Sequence, residues 1–339
     1  MIQNKIAIHD SKVSFSERWI DYCKKENIPY KIVDCYQNDI IEQLQDCTVF
    51  MWHFYHTNEK DILFAKQLLY ALQSTGKKVF PDFSTAWHFD DKVGQKYLLE
   101  AAGAPFVPSY VFYNRHDALN WAASCTYPKV FKLRTGSGSV NVQLVKSFTE
   151  AGALIKKAFT GGFKNSGLVP LSDVYSKFKR GRASLNAMLR SIARQVVPTK
   201  FAKMSNREKG YIYFQDFIPG NDHDIRVVVI GDRAFALKRM VRENDFRASG
   251  SGNILYDREL FDESVIKLSF DINKKIRSQC LAFDYVFDNG RPLVVEISFG
   301  FHTGGYDACP GYWDETLRWH EGRFNPYGWM VDNIRAANT

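Results

Sequence analysis

The sequence predicts an α/β protein in which a small lobe with a parallel sheet precedes lobes of mixed α+β structure. Three observations support this prediction. Strands and helices alternate through residues 1–88, which is typical of βαβ units. Two β-hairpins are predicted further on, one turning at Gly-Asp within 224–241 and one at Asn-Gly within 281–297. The 339 residues, 45% of them apolar, suffice for two or three lobes.

Composition narrows the class of protein. No window of about 18 uncharged apolar residues predicts a transmembrane helix, and the start MIQNKIAIHD predicts a strand, not a secretory signal. The six cysteines show no CxxC spacing, so we expect buried thiols in a reducing cytoplasm. The net charge of +8 is concentrated in residues 165–209, and the rest is neutral, so we expect no nucleic-acid partner.

The first lobe contains an aromatic and histidine cluster, Trp52-His53-Phe54-Tyr55-His56, directly after a predicted strand. The carboxyl ends of strands in α/β sheets are where such proteins keep their ligand sites. The cluster has two interpretations, contact with a substrate or an aromatic cover over the core. No glycine-rich dinucleotide fingerprint follows the first strand, which argues against a nicotinamide cofactor.

A lysine and a glycine-serine loop follow the first lobe. Residues 90–102 predict a helix with acids in its first turn and a stop at Gly103. Lys132 ends a strand, and Gly136-Ser137-Gly138-Ser139 joins it to another strand. Such a loop lets backbone amides approach phosphate oxygens, although it lacks the Walker spacing and is also compatible with a plain hairpin turn.

The basic segment, residues 165–209, interrupts this order. Ten Lys or Arg residues occur there against two acids, and apolar residues recur from Leu185 to Val196 on one predicted helical face. One interpretation is an ordinary surface helix. The other is contact with an anionic membrane surface or a lipid-linked substrate, on the inner face of the membrane.

The hairpin over 224–241 carries alternating charge: Asp224 and Arg226 on one strand, Lys238 and Arg239 on the other, and Arg247 beyond it. A strand buried on both faces would not carry these charges, so one face is expected to line a site for negative charge. The second hairpin places Asp284 and Glu296 on adjacent strands. Two carboxylates beside a phosphate chain form a hard-oxygen site suited to Mg²⁺.

These motifs together resemble the ATP-grasp carboxylate–amine ligases and are most similar to the branch that attaches glutamate to a ribosomal protein. The resemblance runs from about residue 88 to about 298, after an α/β lobe like the family's N-terminal domain. Each motif alone is weak, but their shared order supports the resemblance. The motifs are DDKxxxK from Asp90, VFK ending at Lys132, QDFIPGNDHDIR from Gln215, LKR ending at Arg239, DFRASGSG from Asp245, FDYVF around Asp284 and VVEIS around Glu296.

The resemblance implies that ATP lies between two subdomains. It assigns the α- and β-phosphates to Lys132 with Lys92 or Lys96, the adenine to the hinge at 215–218, and the ribose to Asp224 or Asp222. The expected cofactor-binding residues are Lys92, Lys96, Lys132, Gly136, Ser137, Gly138, Ser139, Gln215, Asp216, Phe217, Ile218, Asp222, Asp224 and Lys238.

It also implies how the reaction is catalysed. Arg239 and Arg247 would stabilise the transferring phosphoryl group, and Arg226 joins them as the third expected catalytic residue. The expected metal ligands are Asp284, Glu296 and Ser298. The family has asparagine where this chain has Ser298, a poorer Mg²⁺ ligand, so the second metal site is weak or is completed by His302, Asp307 or water.

We expect an N-terminal α/β domain at 1–88, a first ATP-grasp subdomain at 89–209 with the insertion 165–209, a second at 210–310 and an aromatic arm at 311–339. From residue 299 onward the aromatic residues are dense. They suit either a wall that binds a sugar or an arm that covers the sheet. The residues concerned are Phe299, Phe301, Tyr306, Tyr312, Trp313, Trp319, Phe324, Tyr327 and Trp329.

The predicted function is an ATP- and Mg²⁺-dependent cytoplasmic ligase that activates a carboxylate as an acyl phosphate and joins it to an amine. The basic segment and the aromatic tail suggest an amino acid joined to an acidic sugar in surface-polysaccharide biosynthesis. Two alternatives remain at this point. One is an ATP-grasp kinase that phosphorylates a hydroxyl or polyol, and the other is a nucleotide-binding module without turnover.

Overall fold

The computed structural model describes residues 5–12, 14–136, 141–164, 207–241, 247 and 252–336. The chain begins with a four-stranded parallel sheet, in which the strand order is β2-β1-β3-β4. Its strands are β1 Ile6–His9, β2 Tyr30–Val33, β3 Val49–Met51 and β4 Lys78–Phe80. Its helices are α1 Phe15–Lys25, α2 Ile40–Gln43, α3 Glu59–Ser74 and α4 Phe83–Ala86.

Helix α1 shows how the sequence specifies this lobe. Ser14 lies before it with an extended backbone, and its hydroxyl accepts the Ser16 N–H, as an N-cap does. Phe15 and Trp19, one turn apart, are fully buried, while charged residues occupy the outer face. The apolar stripe therefore sets which side of α1 meets the sheet.

A second sheet of four strands, all antiparallel, has the order β5-β8-β6-β7. Helices α6 and α7 cover one face of it, where Ala122, Phe131, Ile155 and Phe214 share a small core. Its strands are β5 Ser109–Phe112, β6 Lys129–Lys132, β7 Gln143–Val145 and β8 Ile212–Asp216. The helices of this region are α5 Lys92–Ala101, α6 Arg115–Ser124 and α7 Phe148–Ala158.

The third sheet has seven strands, in the order β13-β12-β9-β10-β14-β15 with β11 added beside β10. The strands are β9 His223–Ile230, β10 Arg233–Met240, β11 Ile254–Leu255, β12 Cys280–Asp288, β13 Arg291–Ser298, β14 Gly311–Asp314 and β15 Trp319–Glu321. Two helices, α8 Glu263–Ile276 and α9 Pro326–Ala336, and 3₁₀ turns at Arg258–Leu260 and Thr303–Gly305 complete the described elements.

The two faces of this sheet have different neighbours because side chains alternate along each strand. On β9, Val227 and Val229 belong to the core beneath α8, whereas Val228 and Ile230 belong to the core shared with the first lobe. Asp224 and Arg226 continue the second set toward the start of the strand. The charged residues of the hairpin therefore lie on the face that turns toward the first lobe.

The aromatic residues near the C-terminus had two interpretations from sequence, a wall that binds a sugar or an arm that covers the sheet. Strands β14 and β15 extend the large sheet, and α9 packs on α1 of the first lobe. Phe299, Trp313 and Tyr327 are buried in the cores. This packing favours the interpretation of an arm that covers the sheet over that of a sugar-binding wall.

The described residues do not test two predictions, those for the basic segment and for the domain boundaries. Most of the basic segment, residues 165–206, lies outside the described residues, and the domain boundaries remain predictions.

Three helices, α4, α6 and α9, were not predicted from the sequence. Among the helices in the described ranges, none is long and apolar enough to cross a membrane.

Candidate active site

A cavity of about 600 Å³ opens where the three sheets approach one another. Strands β6 and β8 form one wall, β9, β12 and β13 form the floor, and the segment after β3 closes one end. Thirteen of the residues that the sequence predicts to bind the cofactor, the metal or the reacting groups line the cavity. They are Lys92, Lys132, Gly136, Gln215, Asp216, Phe217, Ile218, Asp224, Arg226, Arg247, Asp284, Glu296 and Ser298.

Two buried lysines, Lys92 and Lys132, line the cavity. Lys132 ends β6, and burial, opposed by the charge of Glu296, lowers its pKa to about 8. Lys92 begins α5, and its Nζ lies 2.6 Å from the carbonyl oxygen of Gly136 and 3.3 Å from Glu296 Oε1. Burial alone would lower the pKa of Lys92, but the carboxylates of Glu296 and Asp90 raise it. Both ammonium groups suit a phosphate chain.

The side chain of Gln215 bonds within the protein. Its Oε1 accepts a hydrogen bond from Lys132 Nζ at 2.6 Å, and its Nε2 donates to Ser109 Oγ at 3.0 Å. The side chain therefore positions Lys132, and contact of this residue with adenine stays a prediction for its backbone groups. The next residue, Asp216, is likewise paired, through its carboxylate, with Lys129 Nζ at 2.6 Å. The hinge is left with backbone groups for the base.

Four charged side chains form a network on the floor of the cavity. Arg226 binds both carboxylate oxygens of Asp284, at 2.5 and 2.6 Å, and Arg239 binds both oxygens of Asp224, each at 2.6 Å. Arg239 also reaches Asp284 Oδ1 at 3.0 Å. Burial would raise the pKa of Asp284, but the two guanidinium groups hold it well below its usual range. Bidentate arginine–carboxylate pairs of this kind fix the orientation of both side chains.

This network bears on two expectations. Each oxygen of Asp224 accepts one hydrogen bond from Arg239, so the carboxylate positions an arginine. Asp224 also lines the cavity, and its contact with a ribose stays a prediction. Arg239 is not among the residues that line the cavity; it lies beneath Asp224 and Asp284. Arg226 and Arg247 do line the cavity.

The carboxylates expected to bind a metal are directly opposed in the β12–β13 register, Asp284 against Glu296. Asp284 accepts three hydrogen bonds from arginines, which leaves acceptor capacity on its second oxygen. Glu296 is partly open to the cavity. Within the described ranges no group of three or more His, Cys, Asp and Glu side chains could hold a metal. Two carboxylates fit Mg²⁺, which commonly takes its remaining oxygens from phosphate and water.

Ser298 and the two residues expected to complete the second metal site, His302 and Asp307, lie in different surroundings. The Ser298 hydroxyl donates to the Gly300 carbonyl oxygen at 2.8 Å and accepts the Gly300 N–H at 3.2 Å, so it holds the turn after β13. His302 lines the cavity. Asp307 instead pairs with Arg18 at the surface, 2.7 Å away, and the geometry does not support it as a metal ligand.

Three further expected residues are placed away from the cavity lining. Lys96 pairs with Glu100 at 2.6 Å, one turn along α5. Asp222 is largely exposed and bonds to His223. Lys238 neighbours Arg239 on β10 and therefore points to the opposite face of the sheet. The geometry supports none of these as cofactor-binding residues. Ser137, Gly138 and Ser139 lie outside the described residues.

Sequence reasoning missed several residues of the cavity. Asp90 accepts the Gly136 N–H at 2.8 Å and ties the start of α5 to the glycine-serine loop. Gln95 Oε1 accepts the N–H of Ile297, next to Glu296, at 3.2 Å. The cluster after β3, by contrast, was a candidate from sequence, and His53, Tyr55 and His56 line the cavity, which favours its interpretation as a ligand contact. The Asp-Asp-Lys run was a usable signal for Asp90, whereas Gln95 had none.

Known proteins are similar to this chain in sequence and in fold. No family model matches the sequence. The chain is similar to the α-aminoadipate–LysW ligase LysX of Saccharolobus solfataricus, with 20% identity over 280 residues, covering 80% of this chain and 83% of the relative.

Solved structures resemble the chain over almost its whole length. The ATP-grasp RimK domain protein of Sphaerobacter thermophilus matches with a TM-score of 0.56 and 15% identity, covering 97% of this chain and 99% of that one. D-alanine–D-alanine ligase of Bacillus anthracis, complexed with ATP, matches with a TM-score of 0.56 and 13% identity, covering 98% and 95%.

These likenesses show that the chain has the ATP-grasp fold. The predicted architecture, a parallel N-terminal lobe followed by a two-subdomain ATP-grasp region, is confirmed, and so is the predicted resemblance to ATP-grasp proteins. LysX and D-alanine–D-alanine ligase are ligases by name, which agrees with the predicted enzyme class.

Proposed function

We propose that this protein is an ATP-dependent ligase that forms an acyl phosphate from a carboxylate and transfers the acyl group to an amine. The observation that carries the proposal is the convergence of two buried lysines, cavity-lining arginines and two opposed carboxylates in one cavity. The lysines and arginines concentrate positive charge in one small cavity, and such charge stabilises a transferring phosphoryl group. The ligase names among the similar proteins support the class of reaction.

In this proposal Lys92 and Lys132 hold the phosphate chain from two sides. Gln215 fixes Lys132, and Glu296 and Gly136 fix Lys92, so neither ammonium has to be ordered when the nucleotide enters. Ordered donors lower the cost of binding a flexible anion. The hinge at 216–218 also lines the cavity, and in this proposal its backbone groups contact the base.

Arg226 and Arg247 face the site of phosphoryl transfer in this proposal. The Arg226 guanidinium is anchored by Asp284, so it offers a fixed positive charge to the developing acyl phosphate. Arg239 lies beneath Asp224 and Asp284 and offsets the negative charge of the two carboxylates. Asp284 and Glu296 would hold Mg²⁺, which when bound offsets the charge of the phosphate oxygens.

The experiment that tests the function is an assay of ADP release from ATP and Mg²⁺ against a panel of carboxylates, each with and without a panel of amines. The ligase predicts release that requires a carboxylate and a product containing an amide. Release that requires a hydroxyl compound and no amine would establish a kinase instead. Release with neither would contradict both assignments.

A narrower proposal concerns the substrate and the basic segment. An acidic sugar acceptor in polysaccharide biosynthesis, and binding of an anionic membrane surface or lipid-linked substrate through residues 165–209, rest on sequence composition alone. Each cation near such a surface contributes roughly 1 kcal/mol. Co-sedimentation with anionic vesicles should therefore weaken when Arg182, Arg190 and Arg194 become Gln. If the wild type stays in solution at low salt, the surface proposal fails.

A further inference from the structure

His53 lies at the end of the cavity formed by the first lobe, two residues beyond β3. It is almost fully buried, and its ring stacks on Phe15 with centroids 3.6 Å apart. Tyr55 and Phe299 contact other sides of the ring, at 4.8 and 5.7 Å between centroids. Packing on several sides leaves the imidazole little rotational freedom, so its two nitrogens have fixed directions.

The hydrogen bond at Nδ1 determines the tautomer. Nδ1 lies 3.1 Å from the backbone N–H of Phe15, the first residue of α1, and can only accept from it. A neutral ring that accepts at Nδ1 carries its proton on Nε2. Burial lowers the pKa of His53 to about 3. The positive end of α1 opposes protonation as well. His53 is therefore a neutral donor at physiological pH.

The free edge of the ring lies beside Gly300. A Cβ at residue 300 would come within 3.0 Å of His53 Nε2 and 3.5 Å of Phe89. Both backbone polar groups of Gly300 bond to Ser298, two residues after Glu296. Gly300 and His53 line the cavity together. The Nε2 edge of His53 thus lies in the cavity, beside the turn that follows Glu296.

We propose that His53 donates a hydrogen bond from Nε2 to an oxygen of the carboxylate substrate and so helps select a compact carboxylic acid. This inference rests on the proposed ligase function. A neutral donor favours an oxygen acceptor without adding a cation that would compete for the phosphate chain. Phe89 and Phe301, which line the same end, would contact the apolar part of a small acid. His53 is a specificity-determining residue in this assignment.

Two substitutions separate the two nitrogens. His53→Asn keeps an acceptor near the position of Nδ1, and His53→Gln keeps a donor near the position of Nε2. We expect the Asn variant to raise KM for the carboxylate about tenfold, the scale of one lost hydrogen bond. The Gln variant should keep KM near the wild-type value and lose thermal stability, because the α1 N–H loses its partner. Equal KM values in both variants would overturn the assignment.

His9 provides the matched control. It is also buried in the first lobe, and its Nδ1 likewise accepts a backbone N–H, that of Cys35 at 3.1 Å, but it does not line the cavity. His9→Asn should therefore leave KM for the carboxylate unchanged. The affinity for a non-hydrolysable ATP analogue should be unchanged in all three variants. A change there would show that His53 acts on the nucleotide.

A second measurement does not depend on turnover. In ¹⁵N-histidine-labelled protein, the His53 signal, assigned from its loss in His53→Gln, should show the Nε2–H tautomer from pH 5 to pH 8. Acetate added with saturating MgADP should shift this signal. If acetate shifts it while no carboxylate supports ADP release, the donor stands and the ligase function fails. If ADP release requires a carboxylate but acetate and His53→Asn have no effect, the function stands and this inference fails.

Discussion

Lys132 Nζ and Gln215 Oε1 are 2.6 Å apart, and both side chains are buried between β6 and β8. The amide neutralises no charge, so burial still lowers the pKa of Lys132 to about 8. Lys92, by contrast, faces Glu296 and has a raised pKa. The two lysines assigned to the phosphates thus respond differently to pH.

We expect nucleotide affinity to fall as pH rises from 7 to 9. Phosphate oxygens stabilise the charged form of Lys132. Near pH 8, Lys132 of the nucleotide-free protein begins to lose its proton, so nucleotide binding then requires the uptake of a proton. A pKa of 8 in the free protein gives a loss of about tenfold by pH 9. Calorimetry with a non-hydrolysable ATP analogue in two buffers measures both the affinity and the proton uptake.

Lys132→Met is the control for this pH dependence. The variant should bind the analogue more weakly at pH 7, by about 2 kcal/mol, the scale of a charge-assisted contact to phosphate. Its affinity should then change little up to pH 9. A wild-type slope that survives in Lys132→Met would show that another group titrates.

Glu296→Gln should reduce metal-dependent turnover much more than nucleotide binding. The carboxylate faces the cavity and can hold Mg²⁺, whose charge matters most while the phosphoryl group transfers. We expect kcat for ADP release to fall about hundredfold, as when one group that stabilises a transition state is removed. Glu321→Gln, at an exposed position on β15, is the matched control. Full ADP release by Glu296→Gln at saturating Mg²⁺ would mean that the metal site lies elsewhere.

Asp284→Asn should destabilise the protein itself. Asp284 is buried and neutralises part of the charge of Arg226 and Arg239, so its replacement leaves two guanidinium groups without that carboxylate. Removing one partner of a buried ion pair costs about 3 kcal/mol or more. Urea denaturation of Asp284→Asn and Asp271→Asn measures the difference. Asp271 belongs to an exposed pair with Lys267 and should hardly matter. Equal stability of both variants would contradict a structural role for the cluster.

Two glycine-to-alanine substitutions should have opposite signs. Gly152 lies in α7 with open space where a Cβ would be, so Ala should stabilise by about 0.5–1 kcal/mol. Gly328 lies in α9, and a Cβ there would come within 2.7 Å of the Tyr22 ring of α1. Ala should therefore destabilise by about 1–3 kcal/mol through overpacking. Thermal unfolding measures both. Stabilisation by Gly328→Ala would show that α9 does not pack closely on α1.

Local signals in the sequence were sufficient to predict the parallel N-terminal sheet and the two hairpins, and the ordered motifs were sufficient for the resemblance to the ATP-grasp fold. The Asn-Gly turn predicts the β12–β13 hairpin, and the alternation of side chains along β9 puts Asp224 and Arg226 on one face. These relations follow from spacing along one or two neighbouring elements, so they can be predicted from the sequence. The register of the turn alone would place Asp284 opposite Val295. A bulge between Asp284 and Tyr285 places it opposite Glu296 instead, and the spacing does not predict that bulge.

Tertiary packing decided the choices that spacing leaves open. Lys92 and Lys96 lie four residues apart on α5, and contact with Gly136 and Glu296 brings the first into the cavity while the second pairs with Glu100. The Gln215 side chain bonds to Lys132 across two neighbouring strands. The proton of His53 is placed by Phe15, 38 residues away in the chain. Partners brought together by folding set these hydrogen bonds, and sequence spacing carries no information about them.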